Sequence, residues 1–488
     1  MTTLHSFFSI AIYVFFLVAL WLCYRRKIKQ VHCLTAILVL GLFLRIATAQ
    51  DPFLHTWDER FHALVAKNLI EHPLKPVLYA QPVLPYDFRE WSNNHIWLSK
   101  PPLALWPMAA SIHWFGTNEI AVRLPSILFS TLSILLTFFI GRRLFGAWPG
   151  LLAACLHAMH GRLIEVASGR LSSDHVETLF LFFLEWAMLL TVKYYQRAKR
   201  PATLALGIGL LTGLAFLCKW IAALFVPILW LAIGLWMRRP VWELLKHGMV
   251  IALSASAVAA PWLFFMLYAY PEEATYLLRA VLLPVSETIQ GHQGHWYYFL
   301  DQARLYYGEL IYLPMLWLVF VIWRKPKRFS ILVITLWIAL PMLLLSLMET
   351  KRSTYLLLTA PGFFLLTALC FYLLTVKRPE KRSIRILARL TAALLVLLPL
   401  RYSIERVKPF ANFAEERQWT EELKALSSAI PLPPKQVVLF SEPHPIQAMF
   451  YTGFTAYPWI PEASMLEELR AKGYRIFVKK ETGYEEYR

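Results

Sequence analysis

The sequence predicts an all-α polytopic membrane protein of about twelve spans that ends in a small α/β domain outside the bilayer. Three observations carry this. The 488 residues are 58% hydrophobic with a mean hydropathy of +0.49, too apolar for a soluble chain of this size. Apolar runs near the roughly 20 residues that cross a bilayer recur along the chain. After Arg401 the pattern changes to short segments that alternate strand-like and helix-like character.

The net charge is +18, from 49 basic and 31 acidic residues. In a soluble protein this balance would suggest nucleic acid. Here the basic residues sit in short loops between apolar runs: Arg25-Arg26-Lys27, Arg142-Arg143, 193–200, Arg238-Arg239, 324–328 and 377–385. That is the positive-inside signature, so membrane lipid is the expected surrounding and nucleic acid is not an expected partner. Spans are expected near 7–24, 31–49, 120–140, 146–160, 174–195, 202–218, 220–237, 248–268, 308–323, 330–347, 354–376 and 385–401. The first lacks a basic leader and a small-residue cleavage site, and reads as a retained helix. With the basic loops cytoplasmic, segments 50–119, 161–173, 269–307, 348–353 and the tail lie on the outer face. The expected division is a membrane domain over 1–402 and a tail domain over 403–488. Within the tail, strands are expected over 436–440 and 474–478, helices over 446–451 and 464–472, and a third short strand over 457–460. Pro458 would place that strand at an edge.

Cys23, Cys33, Cys155, Cys218 and Cys370 all lie in or beside apolar runs without metal spacing. They read as small core residues, with no disulfide framework.

The polar stretch 54–103 stands out between membrane helices. It opens with Trp57-Asp58-Glu59-Arg60 and closes with Lys100-Pro101-Pro102-Leu103. The stripe Phe61, Leu64, Val65 and Leu69 predicts a helix over 57–71 lying on the membrane surface, ended by Pro73 and Pro76. A second shallow helix is expected over 103–115, and Arg123 opens the next span. Adjacent helical residues point about 100° apart, so Asp58 and Glu59 cannot act as one symmetric pair. A plain acidic helix N-terminus would also explain them.

Other ionisable residues gather at the outer ends of spans, where charge near the bilayer is costly. Asp174 and Glu177 flank His175 at helical spacing. Lys219 ends one span, and Lys351, Arg352 and Tyr355 lie between two others. Arg279, His292, His295 and Arg304 belong to the outer loop 269–307. Snorkelling accounts for any one of them. Carboxylates and several cations on one face instead favour a site for a lipid-linked phosphate, to which Lys and Arg donate charge-assisted hydrogen bonds.

Taken together, Trp-Asp-Glu at 57–59, Lys-Pro-Pro-Leu at 100–103, Ala-Val-Arg-Leu-Pro-Ser at 121–126, Asp174, and Lys-Arg-x-x-Tyr at 351–355 resemble the GT-C glycosyltransferases. Within them the likeness is to the protein O-mannosyltransferase-like group that includes the lipid A aminoarabinose transferase. The resemblance spans most of 31–400. It implies the GT-C fold and an inverting glycosyltransferase that moves a sugar from a polyprenyl-phosphate carrier to an envelope lipid, glycan or protein. It also implies an inner (plasma) membrane location with the active site on the periplasmic face. By position it makes Asp58 the essential loop aspartate, Lys100 the carrier-phosphate contact and Asp174 the second acidic residue, with His292 or His295 at the family's histidine before Trp-Tyr-Tyr. Joined to the residues read above, the candidate catalytic acids are Asp58, Glu59 and Asp174, and the candidate substrate and phosphate contacts are Arg60, Lys100, Arg123, Lys219, Lys351, Arg352 and Tyr355. Two departures bear on metal. Ser99 stands where the aminoarabinose enzymes commonly have a glutamate before the lysine, and Arg60 follows Asp58 by two residues rather than three.

His292 and His295, three apart among glycines, could join carboxylates in a divalent-metal set, with His62 as a further candidate ligand. No cofactor is expected to be required, and a metal near His292 or His295 is an optional ligand. The alternative function is a flippase or transporter of lipid-linked saccharide. It would need polar residues at mid-span, and the sequence shows few. A structural subunit that keeps the fold without activity is a third reading.

Overall fold

The computed structural model describes residues 11, 14, 18, 29–90, 94–171, 175–196, 200–325, 328–376, 380–407, 413–481 and 483–487. The expected span over 7–24 falls almost wholly outside these. Eight of the described helices are long and apolar enough to cross a membrane: Gln30–Thr48, Glu119–Phe145, His175–Tyr195, Pro201–Trp236, Val241–Ala269, Phe329–Leu347, Ser353–Val376 and Arg382–Val407. A ninth candidate is the pair Tyr298–Tyr307 and Glu309–Arg324, bent by 119°. Gly308 makes the bend at φ +89, a conformation that favours glycine.

Within Pro201–Trp236, segments 202–218 and 220–237 form two helices, Pro201–Lys219 and Phe225–Trp236, and the chain folds back at the break Lys219-Trp220: the Tyr195 hydroxyl, just before the first helix, donates to the Trp230 carbonyl at 2.6 Å. One expected span is shorter in space. The run near 146–160 is a short helix, Ala147–Ala158. It stops where His160 turns out of helical geometry and accepts a bond from the Leu163 amide, starting the helix Gly161–Ala167. The bundle core is continuous and is filled by residues such as Ile134, Phe180, Leu229, Trp337 and Phe363.

Mid-span polar residues are more developed than the sequence suggested. Inside the bundle, Thr137 donates to Glu185 Oε2 at 2.8 Å and meets His157 Nδ1 at 2.8 Å. Arg45 donates to Ser130 Oγ at 2.7 Å and to the Gly41 and Ala158 carbonyls. Each group bonds within the bundle, as buried polar atoms must.

The surface helices form as Asp58–Leu69 and Leu105–Phe115. The tail is an α/β unit whose sheet has the order β2-β1-β3-β4. Its strands are β1 (Val437–Phe440), β2 (Thr455–Ala456), β3 (Arg475–Lys480) and β4 (Gly483–Glu486). β1 pairs parallel with both β2 and β3, and β4 adds antiparallel to β3. The edge strand β2 ends just before the expected 457–460, and Tyr457 continues the pairing by donating its amide to Leu439 O. β4 had no counterpart in the sequence reading.

The membrane helix Arg382–Val407 crosses the expected boundary at 402, and the tail shares a core with the first outer loop. Phe61, Leu64 and Leu69 of the surface helix pack in one cluster with Val438, Phe440, Ile446 and Phe450. Tyr79 stacks on Tyr457 at 5.0 Å, and the Tyr457 hydroxyl accepts from the Val83 and Leu84 amides. The segments expected on the outer face meet one another. Arg170 pairs with Asp51 at 2.8 Å, Tyr86 donates to Glu273 at 2.7 Å, and the Ile289 amide donates to Thr350 Oγ1 at 2.9 Å.

Candidate active site

Asp58 is the first residue of the surface helix, preceded by the exposed Trp57. Its nearest cation is Lys100, with Nζ to Oδ2 at 3.9 Å, and both side chains are about a quarter exposed. Lys100 enters the site because its own segment is anchored. The Trp220 indole donates to the Ser99 carbonyl at 3.2 Å. Trp220 also takes φ +45, rare for a bulky side chain and costing on the order of 1–3 kcal/mol. That break ends the helix Pro201–Lys219 at Lys219 and so leaves its ammonium at the cleft. One strained residue therefore brings two lysines of distant sequence together, and the sequence offered no signal for it.

Lys219 pairs with the buried Glu177 and lies over the Tyr355 ring at 5.2 Å. The charges of Lys100, Arg352 and Asp58 act on it. Arg352 donates to Gln290 Oε1 at 2.5 Å, and its buried Nε has no hydrogen-bond partner among the described residues. Tyr355 is within reach of the charges on Arg352 and Asp58. Among the described residues, Lys100, Lys219 and Arg352 thus stand against Asp58 and Glu177, one positive charge in excess. Such a set suits an anion that can take donors from three sides.

Glu59, one residue on, is placed otherwise. It is fully buried. Arg123 Nε donates to Oε1 at 2.7 Å and Nη2 to Oε2 at 3.1 Å. His175 Nε2 lies 3.2 Å from Oε1, and the His55 amide donates to Oε2 at 2.7 Å. Burial alone would raise this carboxyl, but the Arg123 charge and the His175 bond hold it far below the usual carboxylate range. Gly169, at φ +75, closes over it. A Cβ there would stand 2.3 Å from Oε1. Arg123 in turn donates to the carbonyls of Ala49, Asp51 and Phe53. The expected catalytic role of Glu59 and phosphate role of Arg123 are therefore replaced by a buried clamp that fixes the chain entering Asp58. Both side chains are saturated and closed off from the cleft.

Other expected site residues also move. The Lys351 ammonium donates to the Ser346 and Met348 carbonyls and caps the helix Phe329–Leu347, so its charge is taken up there rather than by a phosphate. Arg60 points about two residue-steps round the helix from Asp58. Its charge acts on His444 of the tail, which stacks on Trp419 at 4.3 Å. Asp174 lies outside the described residues. His292 and His295 are exposed, and His295 stacks on Tyr297 at 5.2 Å. His62 packs edge-on against Trp97. Among the described residues no three His, Cys, Asp or Glu side chains converge on one point. Beside Asp58 the nearest charged group among the described residues is the Lys100 ammonium. Glu177 was noticed in the sequence only as the neighbour of Asp174, yet it is the carboxylate that holds Lys219.

The chain is similar to several known proteins. Residues 99–265 match the family model described as dolichyl-phosphate-mannose-protein mannosyltransferase. The undecaprenyl phosphate-alpha-4-amino-4-deoxy-L-arabinose arabinosyl transferase of Pseudomonas aeruginosa PAO1 is 27% identical over 350 residues. That match covers 66% of this chain and 61% of the relative. The same-named protein of Pseudomonas savastanoi pv. phaseolicola is 26% identical over 54% of this chain and 49% of its own length. The chain thus spans about half to three fifths of these relatives' length. Among solved structures, ArnT from Cupriavidus metallidurans bound to undecaprenyl phosphate superposes with a TM-score of 0.65 at 13% identity, covering 93% of each chain. The oligosaccharyltransferase AglB of Archaeoglobus fulgidus does so with 0.60 at 13% identity, over 91% of this chain and 69% of that one. The chain is a multi-span membrane protein with the GT-C fold of the ArnT structure, and its sequence is similar to that of the arabinosyl transferases.

Proposed function

We propose that the chain is an inverting membrane glycosyltransferase that moves a sugar from a polyprenyl-phosphate carrier to an acceptor in the cell envelope. One observation carries the reading. Lys100, Lys219 and Arg352, from three separate parts of the chain, converge beside Asp58. Similarity to proteins whose names include undecaprenyl phosphate, and to a structure that holds it, supports the carrier class.

The acceptor oxygen attacks the anomeric carbon from the face opposite the phosphate. The bond from that carbon to the phosphate oxygen breaks, and polyprenyl phosphate leaves. The three cations stabilise charge developing on the leaving oxygens. Asp58 takes the proton from an acceptor hydroxyl, or orients an acceptor that is already anionic. Tyr355 lines the same pocket. The inner membrane and its periplasmic face are the proposed location. The acceptor class, whether envelope lipid (lipid A included), glycan or protein, is read by mass spectrometry of envelope lipids and glycans with and without the gene. No divalent metal is required in this scheme. Activity that vanishes in EDTA and returns with one particular metal would refute that part.

Purified wild-type protein should transfer sugar from a polyprenyl-phosphate donor, and Asp58→Asn should not. Wild-type turnover by Asp58→Asn removes the assignment. Movement of lipid-linked saccharide across vesicles without transfer would establish the flippase alternative. For sidedness, a cysteine at Gln290 should react with an impermeant reagent from outside, and one at Lys325 should not. The reverse pattern would turn the site to the cytoplasm.

A further inference from the structure

The residues that introduce Asp58 are gripped from two directions. From the membrane side, Arg123 binds the Ala49, Asp51 and Phe53 carbonyls, and Arg170 binds the Asp51 carboxylate. From the tail side, the Tyr451 hydroxyl accepts from the Leu54 amide at 3.1 Å and donates to Glu119 Oε1 at 2.8 Å. Lys424 reaches the same Glu119 oxygen at 2.9 Å and the Pro52 carbonyl at 3.3 Å, and lies over the Tyr451 ring. Phe413, at the foot of the first tail helix, packs on Phe53 and His55.

Glu119 is the first residue of the membrane helix Glu119–Phe145, and Arg123 is one helical turn below it on the same face. The two grips therefore meet at one helix end. A displacement of the tail pulls on Glu119 and on 52–54 at once, and through them on the Arg123–Glu59 clamp beside Asp58. On the far side of the surface helix, Lys67 donates to the Phe450 carbonyl at 2.6 Å and to the Met449 carbonyl at 3.2 Å. The helix bearing Asp58 thus lies between the membrane clamp and the tail.

We propose that the C-terminal domain is a positioning element of the active site, with Tyr451 and Lys424 as positioning residues that hold Glu119 and segment 52–54 so that Asp58 keeps its place against Lys100. This rests on the function proposed above. Neither residue touches the cationic pocket, so their loss should affect the chemical step and spare carrier binding.

The test uses full-length protein in lipid nanodiscs with Tyr451→Phe, Lys424→Met and the double variant. Three quantities are read: kcat, affinity for undecaprenyl phosphate, and hydrogen exchange of the 51–60 amides. The double variant should lose roughly ten- to a hundredfold in kcat, since small misplacements of a reacting group have effects of that size. Carrier affinity should stay within about twofold, because no pairing to phosphate changes. Exchange should quicken at 51–60 and stay unchanged in the bundle core. Lys424→Arg should restore kcat by keeping the ion pair to Glu119. Wild-type exchange and kcat in the double variant would overturn the proposal. So would a uniform rise in exchange over the whole chain, which would make these residues general stabilisers. If wild-type protein transfers no sugar, the functional reading fails separately, and exchange at 51–60 still decides whether the tail holds this segment.

Discussion

Asp58 and Glu59 are neighbours in sequence and opposites in space. Asp58 sits in a partly open pocket with Lys100 at 3.9 Å, too far for a close ion pair and near enough to feel its charge. Glu59 is fully buried, and its oxygens take bonds from Arg123, His175 and the His55 amide. The first pocket holds more cation than anion and has a guanidinium nitrogen in Arg352 with bonding capacity left among the described residues. The second is satisfied. The difference teaches how a membrane surface can support charged chemistry. A reactive carboxylate needs loose, incomplete pairing so that substrate can complete it, and the backbone carrying it needs a tight, complete pairing next door. The helix supplies both because consecutive side chains diverge by about 100°.

The comparison can be broken first at Asp58. Asp58→Asn should insert and fold as the wild type does and lose on the order of 10²–10⁴ in transfer rate. Normal folding is read by size-exclusion and thermal unfolding, and rate by product formation. A variant that transfers normally would move the proton acceptor elsewhere.

Glu59→Gln should show the reverse phenotype. It leaves Arg123 buried without its counter-charge, a change that typically costs about 3–5 kcal/mol. Melting temperature and yield should fall before any specific kinetic effect appears. Gly169→Ala should mimic it more weakly, because a methyl group cannot fit against the Glu59 carboxylate. If Glu59→Gln is as stable as the wild type but inactive, Glu59 belongs in the chemistry after all.

Lys100→Ala should weaken binding of undecaprenyl phosphate about tenfold to a hundredfold, the span expected for losing one charge-assisted bond. Lys100→Arg should recover part of this, since charge survives while geometry shifts. Lys351→Ala, by contrast, should chiefly lower stability, because its ammonium caps a helix end. Equal loss of carrier affinity in both would erase the distinction drawn between them.

The smallest effect concerns pH. Burial would raise the Asp51 carboxyl, but the His55 bond and the charge of Arg170 outweigh it and lower it from 3.8 to about 2. The folded state therefore holds fewer protons than the unfolded one between these values. Its stabilisation, about 2 kcal/mol, is present above pH 4 and is lost as pH falls through about 2. Asp51→Asn should flatten the acid limb of the unfolding curve in this range. An unchanged acid limb would mean that Asp51 is not held by Arg170 in the folded protein.

Sequence alone determined the membrane class and the helical bundle, and it pointed to the site proposed around Asp58. Hydropathy runs and basic loops are local properties of the chain, and transfer into lipid makes them decisive. The polar stretch around Asp58, the lysine at 100 and the charges at 219 and 352 were legible for the same reason, since charge at the end of a span is costly and so is visible as an exception. Strand β1, strand β3 and the tail helices Pro445–Thr452 and Ala463–Ala471 followed from periodicity, whereas the tail helix Ala414–Ala429 had no counterpart in the sequence reading. Tertiary structure alone decided which charges face the cleft and which are paired away from it. Asp58 and Glu59 have the same local sequence context, and only the approach of Arg123 and Gly169 from elsewhere in the chain separates them. Lys219 and Lys351 look equivalent at span ends, but one faces the cleft because Trp220 takes a left-handed turn, and the other meets carbonyls of its own preceding helix. The attachment of the tail to Glu119 is equally invisible in sequence, since Tyr451 lies 332 positions from its partner. Hydrophobicity acts on each segment separately and can be summed along the chain. Charge pairing acts between side chains at 3 to 4 Å, and that distance exists only once the chain has folded.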